Sequence, residues 1–222
     1  MDLPIKQRIA QRIKGLYVIV DAQFAQSMDL VELTQAVLKG GAQVIQLRDK
    51  LHDKGDVLPV ARRIRDLCEQ HGALFIINDH ADLAVACDAH GLHLGQYDLP
   101  IKEARAILSP HQIIGKSNAL LNEALDSEEQ GADYLAVGAI FPTNTKEKTR
   151  PAGLQTLEQV KPRASVPIVA IGGINKDNVS QVMRAGADAV CVISAVIGDP
   201  NPEEAARRLI DDMSGLALDR IS

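Results

Sequence analysis

The sequence predicts an α/β protein, a single (β/α)8 barrel of the TIM type with an extra N-terminal helix, with residues 1–222 forming one domain. Three observations lead there. Short β-branched runs alternate with stretches of helical apolar spacing up to the C-terminus. The runs number eight, which is the strand count of a closed barrel. An open doubly wound sheet would place a glycine-rich fingerprint after its first strand, and that turn here reads Asp21-Ala22-Gln23.

The strand candidates are 16–21, 43–48, 74–78, 91–94, 112–116, 134–138, 167–171 and 189–194. Patterns at helical spacing lie between them, among others at 29–39, 56–71, 122–130 and 176–185. Gly40-Gly41-Ala42, Gly131-Ala132-Asp133 and Gly186-Ala187-Asp188 each read as a helix C-cap leading into the next strand. This recurrence supports the fold and carries no chemistry. The segment before Leu16 is expected to form a helix lying against the barrel.

Composition narrows the function. Hydrophobic residues make up 46% of the chain and aromatics only 3%, with no Trp. The core must then come from Val, Ile, Leu and Ala, as in buried parallel strands. A net charge of −5 speaks against nucleic acid as a partner, which would need a basic footprint. Cys68, Cys87 and Cys191 sit in apolar runs without metal-type spacing and read as reduced core thiols. No signal peptide or membrane span is visible, so no membrane partner is expected and the cytoplasm is the expected compartment. Oligomeric state stays open, a homodimer included.

Barrel active sites form at the C-terminal ends of the strands, and unusual polar residues concentrate there. The second strand exits through Gln46-Leu47-Arg48-Asp49-Lys50, with Gln46, Arg48 and Lys50 on one face by period two. The third ends in Asn78-Asp79-His80 and the fourth in His93-Leu94-Gly95-Gln96-Tyr97-Asp98. Asp79 and Asp98 could jointly hold a hard cation such as Mg²⁺, or each could cap a helix. His80, His90 and His93 lack the helical spacing of a zinc site. The fifth strand offers Ser117. The sixth runs into a long loop, 141–151, with Thr143, Thr145 and Thr149 beside Lys146, Lys148 and Arg150. Long polar loops in compact domains are either solvated or functional. The last two strands end in Ile171-Gly172-Gly173-Ile174 and Val192-Ile193-Ser194-Ala195, where barrels frequently bind phosphate.

Taken in order, QLRDK (46–50), ND (78–79), GLHLGQYD (91–98), IGKS (114–117), GAIFPTNTK (138–146), IGGI (171–174) and VISA (192–195) resemble the thiamine-phosphate synthase family over 16–212. HLGQYD and FPTNTK are specific segments; IGGI is generic. The resemblance implies a transferase with two small phosphorylated substrates and Mg²⁺ as cofactor. It would couple hydroxymethylpyrimidine diphosphate to hydroxyethylthiazole phosphate, the diphosphate leaving first and the thiazole nitrogen capturing the carbocation. By the same resemblance Asp79 and Asp98 hold the metal, and Arg48, Lys50, Asn78, Ser117 and Lys146 bind the diphosphate. Of these, Arg48, Lys50, Ser117 and Lys146 are the expected catalytic groups. Gln46 touches the pyrimidine, and Thr143, Asn144, Thr145, Gly173, Ile193 and Ser194 position the thiazole phosphate. One departure stands out: many members have His two residues after the serine, and here that residue is Ala119. The related thiazole tautomerase uses that His for acid/base work, so Ala119 counts against the tautomerase alternative. A non-catalytic barrel binding phosphorylated metabolites is the remaining alternative.

Overall fold

Eight parallel strands do close on themselves in the computed structural model, which describes residues 3–25, 28–143 and 150–215. They are β1 (Gly15–Asp21), β2 (Val44–Arg48), β3 (Leu74–Asn78), β4 (Gly91–Leu94), β5 (Ile113–Asn118), β6 (Tyr134–Val137), β7 (Ile168–Ile171) and β8 (Ala189–Val192). Each pairs with the next, and β8 returns to β1 with Tyr17 opposite Cys191. Around them run α2 (Leu30–Lys39), α3 (Lys54–Gln70), α4 (Ala81–Ala86), α5 (Ile101–Ile107), α6 (Leu121–Glu129), α7 (Gly153–Val160) and α8 (Val179–Arg184). A short α9 (Ser194–Ile197) precedes the last helix, α10 (Pro202–Ser214). The expected N-terminal helix is α1 (Ile5–Ala10), tied to the body through Lys6–Asp133 at 2.9 Å.

The strands form because both of their faces are buried. In β3 and β8 every residue is inaccessible, and their runs, LFIIN and AVCV, are nearly all apolar. The helices bury one stripe each; α2 hides Val31, Leu33, Thr34, Val37 and Leu38 and is capped by Asp29, which accepts from the Val31 and Glu32 amides. Its exit is shifted by one residue from the sequence reading. Gly40 is still right-handed helical, and Gly41 takes the left-handed turn (φ 99°), as Gly131 and Gly186 do after α6 and α8.

The residues closing these Gly-Ala elements have a common task at the N-terminal end of the barrel. Gln43 Oε1 accepts from Leu16 N at 2.7 Å, Asp133 Oδ2 from Ile114 N at 2.8 Å, and Asp188 Oδ2 from Ile168 N at 2.8 Å. His90 does the same without the Gly-Ala prefix, its Nδ1 accepting from Phe75 N at 3.1 Å. In each case the backbone amide of the capping residue returns a bond to the carbonyl of the residue it caps. Residues entering β2, β4, β6 and β8 thus satisfy amides at the start of β1, β3, β5 and β7.

Candidate active site

At the opposite end none of the described site residues named below caps the first amide of a neighbouring strand. Asp79 follows β3 in a left-handed conformation (φ 62°), which costs a non-glycine residue energy and recurs at functional sites. Its side chain caps nothing: the N-cap of α4 is His80, without a side-chain bond. Asp98 follows β4 and caps no helix either, since the N-cap of α5 is Pro100 and Asp98 Oδ2 instead accepts from Gly95 N at 2.7 Å. β3 and β4 are neighbours, so the two carboxyls converge and share a hydrogen bond. Burial works against ionisation of Asp79, but the bond with Asp98 and the Lys50 ammonium outweigh it and hold its carboxyl below the usual carboxylate range. Asp98 moves the other way, pushed up by burial and then by Asp79. Such a pair titrates as a unit, with like charge compressed at one point.

That compression fits a divalent cation. Among the described residues no group of three or more His, Cys, Asp and Glu side chains gathers into a cage. Mg²⁺ does not need one: a couple of carboxylates suffice when phosphate oxygens and water complete the shell.

The cations expected from β2 diverge to opposite neighbours. Arg48 reaches back to Asp21 at the end of β1, at 2.6 Å, and to Gln23 at 3.2 Å. Lys50 reaches forward to Asp79 at 2.5 Å. Asp49 between them is structural, folding its own turn by accepting from the Leu51 and His52 amides. Asp21, only 1% exposed, was not anticipated as a site residue. A lone acid ending an apolar strand at the catalytic rim was the available signal. Lys116 on β5 lies beside these groups without contacting them in a hydrogen bond; its ammonium donates to the Gly95 carbonyl at 2.7 Å.

Below the charged groups lies a buried polar floor. Gln46 Nε2 donates to the Tyr17 hydroxyl at 2.6 Å, which meets the Tyr134 hydroxyl at 3.2 Å. Tyr134 bonds His93 Nδ1 at 3.0 Å, and His93 Nε2 bonds Ser117 Oγ at 2.9 Å. A connected line of side chains therefore crosses the barrel interior from β2 to Ser117 on β5. Gln46 Oε1 is buried in this floor without a protein partner. Desolvation raises the pKa of both tyrosines, so both stay protonated. Room for Tyr134 is made by Gly115, where a Cβ would fall 1.9 Å from the ring. Asn78, at the end of β3, is likewise buried. Gln46 and Ser117 were identified from the sequence; Tyr17, Tyr134 and His93 were not assigned roles, because only the closed register brings them together.

A cavity of about 650 Å³ is lined by Gly95, whose amide holds Asp98, while Asp79 and Asp98 themselves lie outside its lining. Ser117, Thr143, Gly172, Gly173, Ile193 and Ser194 also line it. Gly173 has two reasons to be glycine. Its φ is 65°, and a Cβ would lie 2.6 Å from the Pro142 carbonyl, so the β6 and β7 loops touch there before any ligand arrives. Arg150, at the far stem of the 141–151 loop, is fixed by Glu123 at 2.7 Å. Asn144, Thr145 and Lys146 lie outside the described residues.

This ordered set of rim groups coincides with a known family. Residues 16–196 match the family model described as thiamine monophosphate synthase. The chain belongs to the thiamine monophosphate synthase family. The thiamine-phosphate synthase of Shouchella clausii is 44% identical over 199 residues, covering 89% of this chain and 95% of that relative. The one from Moorella thermoacetica is 46% identical over 195 residues, covering 87% and 93%. Among solved structures, a thiamine phosphate pyrophosphorylase from Pyrococcus furiosus superposes with a TM-score of 0.85 at 38% identity, covering 93% of this chain and 98% of that one. As a thiamine monophosphate synthase, the protein is a transferase that forms thiamine phosphate and releases pyrophosphate. Among the described residues no helix is long and apolar enough to cross a membrane.

Proposed function

We propose that the rim holds two adjacent phosphate subsites, one for a pyrimidine diphosphate and one for a thiazole phosphate. The observation carrying this is the convergence of Asp79 and Asp98 beside Lys50, joined through the Gly95 turn to a cavity lined by Gly172, Gly173 and Ser194. Asp79 and Asp98 would hold Mg²⁺, which supplies positive charge to the departing diphosphate. Arg48, oriented by Asp21, and Lys50 supply fixed charge on the same side, with Asn78 and Lys146 as further contacts. Ser117, anchored by His93, places a hydroxyl between the two subsites. Gln46, whose buried Oε1 has no protein partner, is the candidate contact for the pyrimidine, and the apolar cavity wall shields a developing cation from water.

The reaction needs no general base in its first step. The bond from the pyrimidine methylene carbon to the diphosphate oxygen breaks with its electron pair leaving on oxygen. The thiazole nitrogen lone pair then forms the new C–N bond, held in line by Thr143, Asn144, Thr145, Gly173, Ile193 and Ser194 around its phosphate. What the protein contributes is preorganised charge and orientation. The pyrimidine and thiazole substrates, assayed with the purified protein with and without Mg²⁺, test this directly. Turnover to thiamine monophosphate and pyrophosphate that requires Mg²⁺ is expected; turnover indifferent to the metal would remove Asp79 and Asp98 from the role. The tautomerase reading lacks its acid/base group: Ala119 is fully buried and only its amide is engaged, by Glu123. Three buried free cysteines, with burial pushing Cys87 up to about 11, fit a reducing compartment such as the cytoplasm.

A further inference from the structure

Lys116 on β5 has no part in the chemistry above, yet it is tied to it by two short bonds. Its ammonium donates to the Gly95 carbonyl at 2.7 Å, and the Gly95 amide donates to Asp98 Oδ2, also at 2.7 Å. A Cβ on Gly95 would lie 2.7 Å from that same oxygen, so the turn after β4 is shaped around the carboxylate. Lys116 is half-buried, and Asp98 and Asp79 are the charges that act on it. Partly desolvating an ammonium to hold one carbonyl is costly unless the position of that carbonyl matters.

We propose that Lys116 is a positioning residue for the acid pair: it pins the Gly95 turn so that Asp98 meets Asp79 at a spacing fixed before the cation binds. This rests on the reading that the pair holds Mg²⁺. Two effects of the side chain have opposite signs, which makes the idea decidable. As a bare charge Lys116 repels a cation, so its removal would tighten metal binding. As a tether it aligns the ligands, so its removal weakens binding.

The test compares wild type with Lys116→Met and Lys116→Gln, the first removing charge and donor, the second leaving a neutral donor one atom shorter. Calorimetry follows inorganic pyrophosphate binding over a range of Mg²⁺ concentrations, beside thermal melts. Positioning predicts Mg²⁺-dependent pyrophosphate binding roughly five- to ten-fold weaker in both variants, the scale of a lost charge-assisted bond acting at one remove. In turnover the apparent Mg²⁺ requirement should rise while kcat at saturating metal stays within about two-fold of wild type. Folded variants that bind as wild type does, or more tightly, overturn the proposal. So does failure of both variants to fold, which would make Lys116 a purely structural residue. If wild type binds pyrophosphate with no Mg²⁺ dependence, the metal reading itself fails and takes this proposal with it.

Discussion

The two ends of the barrel use the same residue types for opposite purposes. At the N-terminal end Gln43, His90, Asp133 and Asp188 repeat one device on alternate strands, each filling the open amide of the preceding strand. Asp133 and Asp188 are further paired, with Arg105 at 2.5 Å and Lys161 at 2.7 Å. Among the described residues no such repeat exists at the C-terminal end. Six of the strands lead there to Asp21, Arg48, Asp79, Asp98, Ser117 and Ser194, whose side chains share no common task. One carboxyl is pushed up by burial and then by its neighbour, and one buried amide oxygen has no protein partner. A satisfied polar group stabilises the fold, and a group left compressed or open is available to a ligand.

Breaking the rim should therefore cost activity and spare the fold. Asp79→Ala and Asp98→Asn are each expected to lower Mg²⁺-dependent kcat by about 10²-fold or more, the scale of losing preorganised charge at a departing group. Asp98→Asn should at the same time hold or raise Tm. The folded-state pKa of Asp98 is raised, so its stabilising protonated form is present below the ordinary carboxylate pKa and lost as pH rises through the folded value. At neutral pH the ionised group is a liability, and Asn keeps an acceptor for Gly95 N. A drop in Tm with full turnover would reverse the assignment of this end.

At the other end the signs should exchange. Asp133→Ala leaves Ile114 N buried without its acceptor and removes the carboxylate paired with Arg105 and Lys6. A loss of roughly 2–3 kcal/mol is expected in denaturant melts, with kcat and KM close to wild type under conditions where the variant is folded. Gly173→Ala tests the boundary between the two behaviours. Its positive φ and the Pro142 carbonyl make any side chain costly, by about 1–2 kcal/mol, whatever the ligand does. A rise in KM confined to the thiazole phosphate, over and above that loss, would place the phosphate at this loop; a rise confined to the pyrimidine substrate would exchange the two subsites.

Legibility in the sequence followed the same division. Strands were readable because burial on both faces leaves near-continuous apolar runs, and 74–78 and 91–94 coincide with β3 and β4. β5 was placed at 112–116 but runs Ile113–Asn118, for two reasons. Gln112 is spent bonding the Ser109 amide and the Ala84 and Ala89 carbonyls. Lys116, Ser117 and Asn118 looked like loop although they continue the ladder, since strand ends at the rim are polar by function. α8 starts at Val179 where 176 was expected, because Asn175 and Asn178 fold the intervening residues into side-chain-stabilised turns. Asp79 and Asp98 were legible as a pair through strand adjacency. The Gln46–Tyr17–Tyr134–His93 floor depends on barrel closure, which no local pattern encodes.

The smallest expected effect is that of His90→Gln, at the one member of the N-terminal set that can titrate near neutrality. Its Nδ1 accepts from Phe75 N, which only a ring unprotonated at that nitrogen can do. Burial lowers its pKa from the ordinary 6.5, Arg12 adds to this, and Glu69 partly opposes it. A histidine whose folded pKa is depressed contributes stability that is fully present above the unfolded value and lost as pH falls through the folded one. Wild-type Tm should accordingly decline with acidification below about 6.5, with His80 at the rim adding in the same direction. His90→Gln transfers the solution used at Gln43, offering an amide oxygen to the same kind of strand amide. It should stay within about 1 kcal/mol of wild type at pH 8 and show a shallower acid decline. His90→Leu leaves Phe75 N without an acceptor and should lose roughly 1–3 kcal/mol at pH 8. Thermal melts of the three proteins from pH 8 to 5 separate these outcomes. A Gln variant as destabilised as the Leu variant would mean that ring packing, and not the accepted amide, is what position 90 contributes.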